Sequence, residues 1–211
     1  MNEPTFRPEH FRRVDETDDA DFYVPPRLVV HIDEPAIAAL TAWYATALPA
    51  DGDVLDLMSS WVSHLPAEVA YRSVTGLGMN RTELEANPRL TTRIVQDLNR
   101  DPRLPFPDAA FDACTIAVSV QYLTRPVAVF AEIARVLRPG GLCAVSFSNR
   151  MFPTKAVAVW RALDDADHGR LVGLYFRDAG GFEPARVLDL SPHPGATDPL
   201  YVVESRRVAG S

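Results

Sequence analysis

Five short apolar runs, spaced by helical stretches and turns, constrain the fold of this chain more than any other feature. They are Val54-Leu-Asp-Leu57, Ser73-Val-Thr-Gly-Leu77, Arg93-Ile-Val95, Ala113 to Val118 and Leu142 to Phe147. Between them the pattern predicts helices near Trp61 to Glu68, over Arg81 to Ala86 and over Pro126 to Leu137. Strands joined through helices need crossover connections, which give a mostly parallel sheet covered on both faces. A further helix comes first, because Asp33-Glu-Pro-Ala36 has a cap residue and an early proline, and Ile37, Leu40, Tyr44 and Leu48 recur at helical spacing. At the other end Val187-Leu-Asp-Leu190 and Pro199-Leu-Tyr-Val-Val203 read as two strands joined directly, hence antiparallel.

A chain of 211 residues, 47% of them hydrophobic, can bury one sizeable core, so a single α/β domain is the expectation. A formal charge of −7 offers no basic field for phosphates, and no nucleic-acid partner is expected. Cys114 and Cys143 sit inside strand-like runs as small hydrophobes, and no Cys/His set has zinc spacing, so no metal is expected. No apolar run reaches the roughly 18 residues that span a bilayer. Together with a charged rather than signal-like N-terminus, this predicts a cytoplasmic chain with no membrane partner. Residues 1–20, which hold few large apolar side chains and most of the charge run Asp15-Glu-Thr-Asp-Asp-Ala-Asp21, read as a flexible acidic arm, solvated or loosely docked. Residues 21–50 read as a lid and helix, and 51–207 as the main domain.

Ligands of open α/β sheets sit beyond the carboxyl ends of the strands, so the residues that follow each run are the ones to read. After the first comes Asp56 and then Leu57-Met-Ser-Ser-Trp-Val-Ser63, without a glycine. Positive φ angles are costly for side chains such as Met58 and Trp61, so this loop is expected to follow its own path. Ser59 and Ser60 either present hydroxyls and amides to an anionic group or cap a helix. After the second run come Gly78, Met79 and Asn80, and after the third Asp97 and Leu98. Ser119, Gln121 and Tyr122 follow the fourth, and Asn149 and Arg150 the fifth.

The ordered set Val95-Gln-Asp-Leu-Asn99, Leu104-Pro-Phe106, Phe111-Asp112 and Val136-Leu-Arg-Pro-Gly-Gly-Leu-Cys-Ala-Val-Ser-Phe147 resembles the class I S-adenosylmethionine-dependent methyltransferases. The likeness is to the small-molecule branch called type 11, and it runs from about Asp53 to Arg206. It implies a Rossmann-like methyltransferase fold: a three-layer α/β sandwich around a mostly parallel seven-stranded sheet with an antiparallel last strand. It also implies S-adenosyl-L-methionine as cofactor and a small-molecule methyl acceptor as partner, and leaves the oligomeric state unknown.

By the same resemblance Asp56, Met58, Ser59 and Ser60 form an altered amino-acid-moiety site. Gly78 stands where the family has its ribose acid. Asn80 then takes the ribose or caps a helix, and Met79 packs on adenine or in the core. Asp97 accepts from the adenine amino group while the Leu98 amide meets a ring nitrogen; the local alternative is a turn held by Asp97. Ser119 faces the cofactor, and Gln121, Tyr122, Asn149 and Arg150 face the substrate, Arg150 being equally suited to an ion pair. His31 and Tyr23, in a segment that closes over the pocket, are the candidate catalytic bases, against a turn histidine bonded to backbone. Three functions stay open: methyl transfer, a non-catalytic binding protein on a degenerate methyltransferase fold, and a nicotinamide-dependent oxidoreductase. The absent phosphate-cradling glycines and the antiparallel tail weigh against the last.

Overall fold

The computed structural model describes residues 5–209. Strand β1 (Asp53–Leu57) is almost wholly buried and lies in the middle of the sheet. It pairs in parallel with β2 (Ser73–Gly78) on one side and β4 (Phe111–Ala117) on the other. Beyond β2 lies β3 (Thr92–Val95), and beyond β4 lies β5 (Leu137–Phe147), both parallel. The last two strands, β6 (Arg186–Asp189) and β7 (Tyr201–Arg206), form a hairpin in which β7 inserts antiparallel against β5. The order β3-β2-β1-β4-β5-β7-β6 reverses at β1 and β4, which is where a doubly wound sheet opens a crevice.

Helices cover both faces. One layer holds α2 (Glu34–Ala47), which buries Ala36, Leu40 and Tyr44, and α3 (Arg81–Ala86), which buries Leu84. The other holds α4 (Pro126–Val136), the short α5 (Ala158–Arg161) and α6 (Asp165–Ala179). Asp33 caps α2 by accepting from the Ala36 amide, as its sequence position predicts. Among the described residues no helix is long and apolar enough to cross a membrane.

Three expectations are corrected. Residues 61–68 form no helix, because the chain turns through positive φ at Met58 and His64 and then meets Pro66. The region after Trp160, left without an element by the sequence pattern, carries the fifteen-residue α6. There His168 is buried, its ring stacked on Trp160 at 3.9 Å between centroids. Residues 5–20 are docked rather than free. Phe6 and Phe11 pack on Tyr175, and the short helix α1 (Asp19–Phe22) places Asp19 in the interior. Arg13 meets both Asp19 oxygens at 2.7 and 2.8 Å, and the fully buried Lys155 stands 3.2 Å from the same carboxylate. Residues 1–4 of the expected arm lie outside the described residues.

Candidate functional site

The ends of β1 to β4 open into a cavity of about 550 Å³. The segment from Tyr23 to Asp33 and residues 150–152 after β5 complete its wall. Of the sequence-predicted residues, Tyr23, His31, Met58, Ser59, Ser60, Gly78, Met79, Asn80, Asp97, Leu98, Ser119, Tyr122 and Arg150 all line it. Asp56, Gln121 and Asn149 do not.

The first loop keeps the backbone shape of a glycine turn without the glycine. Met58 sits at φ +56°, contrary to the expectation that a side chain would force a different path. Val118, at the corresponding exit of β4, sits at +49°. A left-handed conformation costs a non-glycine residue on the order of 1–2 kcal/mol, and both fall on the cavity wall. What holds the loop is Asp56. This buried carboxyl accepts from Ser59 Oγ at 2.5 Å, Ser63 Oγ at 2.6 Å and Thr115 Oγ1 at 3.2 Å. Burial pushes its pKa up to about 6, and the three hydroxyls partly offset that. Asp56 is therefore the anchor of the turn, not part of the main cavity wall.

The absence at position 78 of the acid that the resemblance implies has a steric cause. A Cβ added to Gly78 would fall on the Ser59 carbonyl oxygen, far inside contact distance. The path of the first loop thus excludes any side chain at that position. Asn80 cannot take over freely, since its side chain caps α3 through the Glu83 amide and gives its NH₂ protons to the carbonyls of Tyr23 and Val24.

Glu83, at the position where a capping-box acid would turn back to the cap amide, instead reaches forward. It accepts from Ser60 Oγ at 2.6 Å and the Arg27 amide at 2.7 Å. Trp61 adds a bond from Nε1 to the Val29 carbonyl. Ser60 and Asn80, which the resemblance assigned to the cofactor, are in this way tied to the segment that covers the cavity. Glu83 and Arg27 were missed by the sequence reading, and only the Asn80-x-x-Glu83 spacing hinted at either.

Beyond β3, Asp97 uses Oδ1 to accept from the Asn99 and Arg100 amides at 2.8 and 3.3 Å. Both readings of this residue are therefore compatible: Oδ1 makes the turn, and among the described residues Oδ2 and the Leu98 N–H have no partner. Ser119 Oγ is buried and likewise unpartnered.

On the opposite wall His31 stands edge-on to Phe152, 5.4 Å between centroids. Burial lowers its pKa below the usual 6.5, against a smaller upward pull from Glu83. Burial raises the Tyr23 phenol well above its usual range. Tyr122 accepts the Phe152 amide. Arg150 is paired with Asp198 at 2.9 Å. Gln121, expected to touch substrate, is buried behind the wall and donates to the Val118 and Arg150 carbonyls. Asn149, also expected there, is exposed outside the cavity.

Residues 59–145 match the family described as methyltransferase domain, of type 11. The biotin biosynthesis bifunctional protein BioHC of Teredinibacter turnerae is 35% identical over 65 residues, 31% of this chain and 11% of that protein. The demethylmenaquinone methyltransferase of Mycobacterium sp. (strain KMS) is 48% identical over 56 residues, 25% of this chain and 24% of that protein. The aligned stretch thus spans a quarter or less of these curated relatives. Among solved structures, the [4+2]-cyclase SpnF superimposes with a TM-score of 0.61 at 18% identity, over 88% of this chain and 89% of its own. A SAM-dependent methyltransferase from Aquifex aeolicus gives 0.59 at 16% identity, over 97% and 100%. At such identities the likeness speaks for the fold. The fold is that of the class I methyltransferases, and within it residues 59–145 match the model of a methyltransferase domain of the type 11 kind.

Proposed function

We propose that this protein binds S-adenosylmethionine in the cavity and catalyses transfer of its methyl group to a small molecule. One observation carries the reading: the Asp97 Oδ2 and the Leu98 N–H stand next to each other in sequence on the cavity wall, one acceptor and one donor, both without a partner among the described residues. That pair complements an adenine edge, whose amino group donates and whose ring nitrogen accepts. The residues present fit the cofactor elsewhere too. The Ser59 carbonyl leaves an acceptor oxygen where the ribose acid implied by the resemblance is missing.

When bound, the cofactor supplies an electrophilic methyl group on a sulfonium. The chain's own task is alignment and exclusion of water, and proximity of this kind contributes several kcal/mol. The segment from Tyr23 to Asp33, held down by Asn80, Glu83 and Trp61, closes the acceptor side. His31, kept neutral at pH 7 by burial, is the group able to take a proton from an oxygen or nitrogen acceptor. Tyr23, whose phenol burial keeps protonated, serves as a hydrogen-bond donor rather than a base.

A second reading is favoured by the glycine-free loop and by a fold relative named as a cyclase: a ligand-binding or non-methylating role on the same scaffold. Calorimetry tests the cofactor site, and formation of S-adenosylhomocysteine from S-adenosylmethionine in the presence of an acceptor separates the two. S-adenosylhomocysteine is expected to bind and raise the melting temperature, by about 2.7 kcal/mol of stability at 100 times its dissociation constant. Nicotinamide dinucleotides are expected to do neither. No heat and no thermal shift with folded protein at millimolar S-adenosylhomocysteine overturns the proposal.

A further inference from the structure

The segment that closes the cavity is apolar on its outer side as well as its inner one. From Val24 to Val30 it reads Val-Pro-Pro-Arg-Leu-Val-Val, and every residue but Arg27 is exposed. Val24 is 69% exposed, Leu28 51%, Val29 55% and Val30 46%, and Met151, after β5, is 38% exposed. Val30 and Met151 also line the cavity, so the outer apolar surface runs into the inner one through them. Charge on this side of the cavity is already taken up. Asp19 faces Arg13 and Lys155, Glu83 accepts from Ser60 and the Arg27 amide, and Asp33 accepts from the Ala36 and Asp198 amides. Asp198 in turn holds Arg150. Arg27 is folded onto its own segment: its guanidinium lies over the Phe22 ring at 4.4 Å, Nη2 donates to the Phe22 carbonyl at 2.9 Å, and Nη1 is buried.

A charged ligand would lose its hydration here and find no unpaired opposite charge to replace it. What the wall does offer is aliphatic and aromatic surface from Tyr23, Val30, Ile32, Met151 and Phe152, beside His31. Exposed aliphatic side chains gain free energy when a ligand takes them out of water, and an apolar surface continuous with a cavity is the mark of a binding groove. On the reading of the cavity proposed above, we infer that the methyl acceptor is an uncharged molecule with a hydrocarbon portion. Its reacting end lies beside His31, and its apolar remainder leaves the cavity past Val30 and Met151 to lie over Leu28 and Val29. Paired charge inside and aliphatic exposure outside are then two parts of one binding surface.

The test titrates the full chain at pH 7 with 4-ethyl-, 4-butyl- and 4-heptylphenol by calorimetry, with and without saturating S-adenosylhomocysteine. Affinity is expected to rise roughly two- to fourfold per added methylene, the upper figure being that of a CH₂ taken fully out of water. 4-Heptylbenzoate and 4-heptylbenzylamine carry the same chain on a charged head and are expected to bind about tenfold more weakly than the phenol, or worse. The double change Leu28→Ser with Val29→Ser falls at exposed positions, where the fold tolerates it. It is expected to cut the gain from butyl to heptyl and to leave ethyl binding unchanged, whereas Val208→Ser, at an exposed valine outside the cavity, alters neither. Affinity independent of chain length, a length dependence unaltered in the double variant, or charged heads that bind as well as the phenol, overturns the inference. So does self-association of the wild type, or its capture by phosphatidylcholine vesicles, that the double variant abolishes, because the patch then belongs to a second copy or to a membrane. Failure of S-adenosylhomocysteine to bind strikes the cofactor reading alone, because the length dependence is read without it as well.

Discussion

Gly78 and Ser59 show how one residue's backbone dictates another's identity. The loop after β1 lays the Ser59 carbonyl against the Gly78 Cα, so this path of the glycine-free loop and the absence of a side chain at position 78 go together. Gly78→Ala is expected to lower stability by about 1–3 kcal/mol in urea unfolding, because the colliding atom is backbone and cannot rotate away. An unchanged midpoint would mean the loop yields easily. Asp97 permits a cleaner separation of fold and function. Asp97→Asn keeps an oxygen for the Asn99 amide yet replaces the unpartnered acceptor with a donor. It is expected to weaken S-adenosylhomocysteine binding by about 1.5–3 kcal/mol with little change in melting temperature. Equal binding by both proteins would assign Asp97 to the turn alone.

At the scale of elements, the N-terminal segment departs furthest from what its sequence announces. Asp15 to Asp21 reads as a solvated charge run because its partner is Lys155, more than 130 positions later. No local pattern reveals such a pairing. The same distance hides the role of the segment's carbonyls, which meet Asn80 and Trp61. The 61–68 stretch misled for the opposite reason: its apolar residues suggest a helix, while the positive φ values at Met58 and His64 are set by packing around Asp56. The helix α6 was missed although its signals are local. Asp164 is a cap, and Leu171, Val172, Tyr175 and Phe176 follow at helical spacing, with Gly169 there because a Cβ would press on Val187. Lys155→Met removes a buried charge from the pocket of Asp15 and Asp19. It is expected to destabilise the fold by about 3–5 kcal/mol, with little dependence on salt. A loss below 1 kcal/mol would mean that Arg13 alone holds the segment.

The mostly parallel sheet follows from strand spacing and the closing hairpin from a turn-rich tail, and the antiparallel insertion of β7 matches what the resemblance implied, whereas the order of the strands is set by long-range pairing. What the sequence could not show is which loop residues face the cavity and which hold those that do. Asp56 belongs to the second kind, and it leaves a mark on the stability of the entire molecule. Its folded pKa of about 6 exceeds that of the unfolded chain, so the protonated form favours folding. This contribution is complete below about pH 4 and is lost as pH rises to about 6, on the order of 2–3 kcal/mol. His64, which burial holds down at about 4, acts in the opposite sense across the same window. The comparison must therefore be wild type against Asp56→Asn, whose stability difference is expected to shift in favour of the variant between pH 4 and 6. A flat difference would mean that the three hydroxyls fully offset burial.

The central claim is that the cavity holds an adenine nucleoside cofactor through the loop after β3, and backbone amide shifts read by nuclear magnetic resonance during a titration with S-adenosylhomocysteine test it most directly. The Leu98 amide, unbonded in the structure, is expected to move furthest and downfield as it gains an acceptor, with Asn99 and Ser119 moving less. A saturable titration that leaves Leu98 unmoved, or no titration at all, would contradict the account.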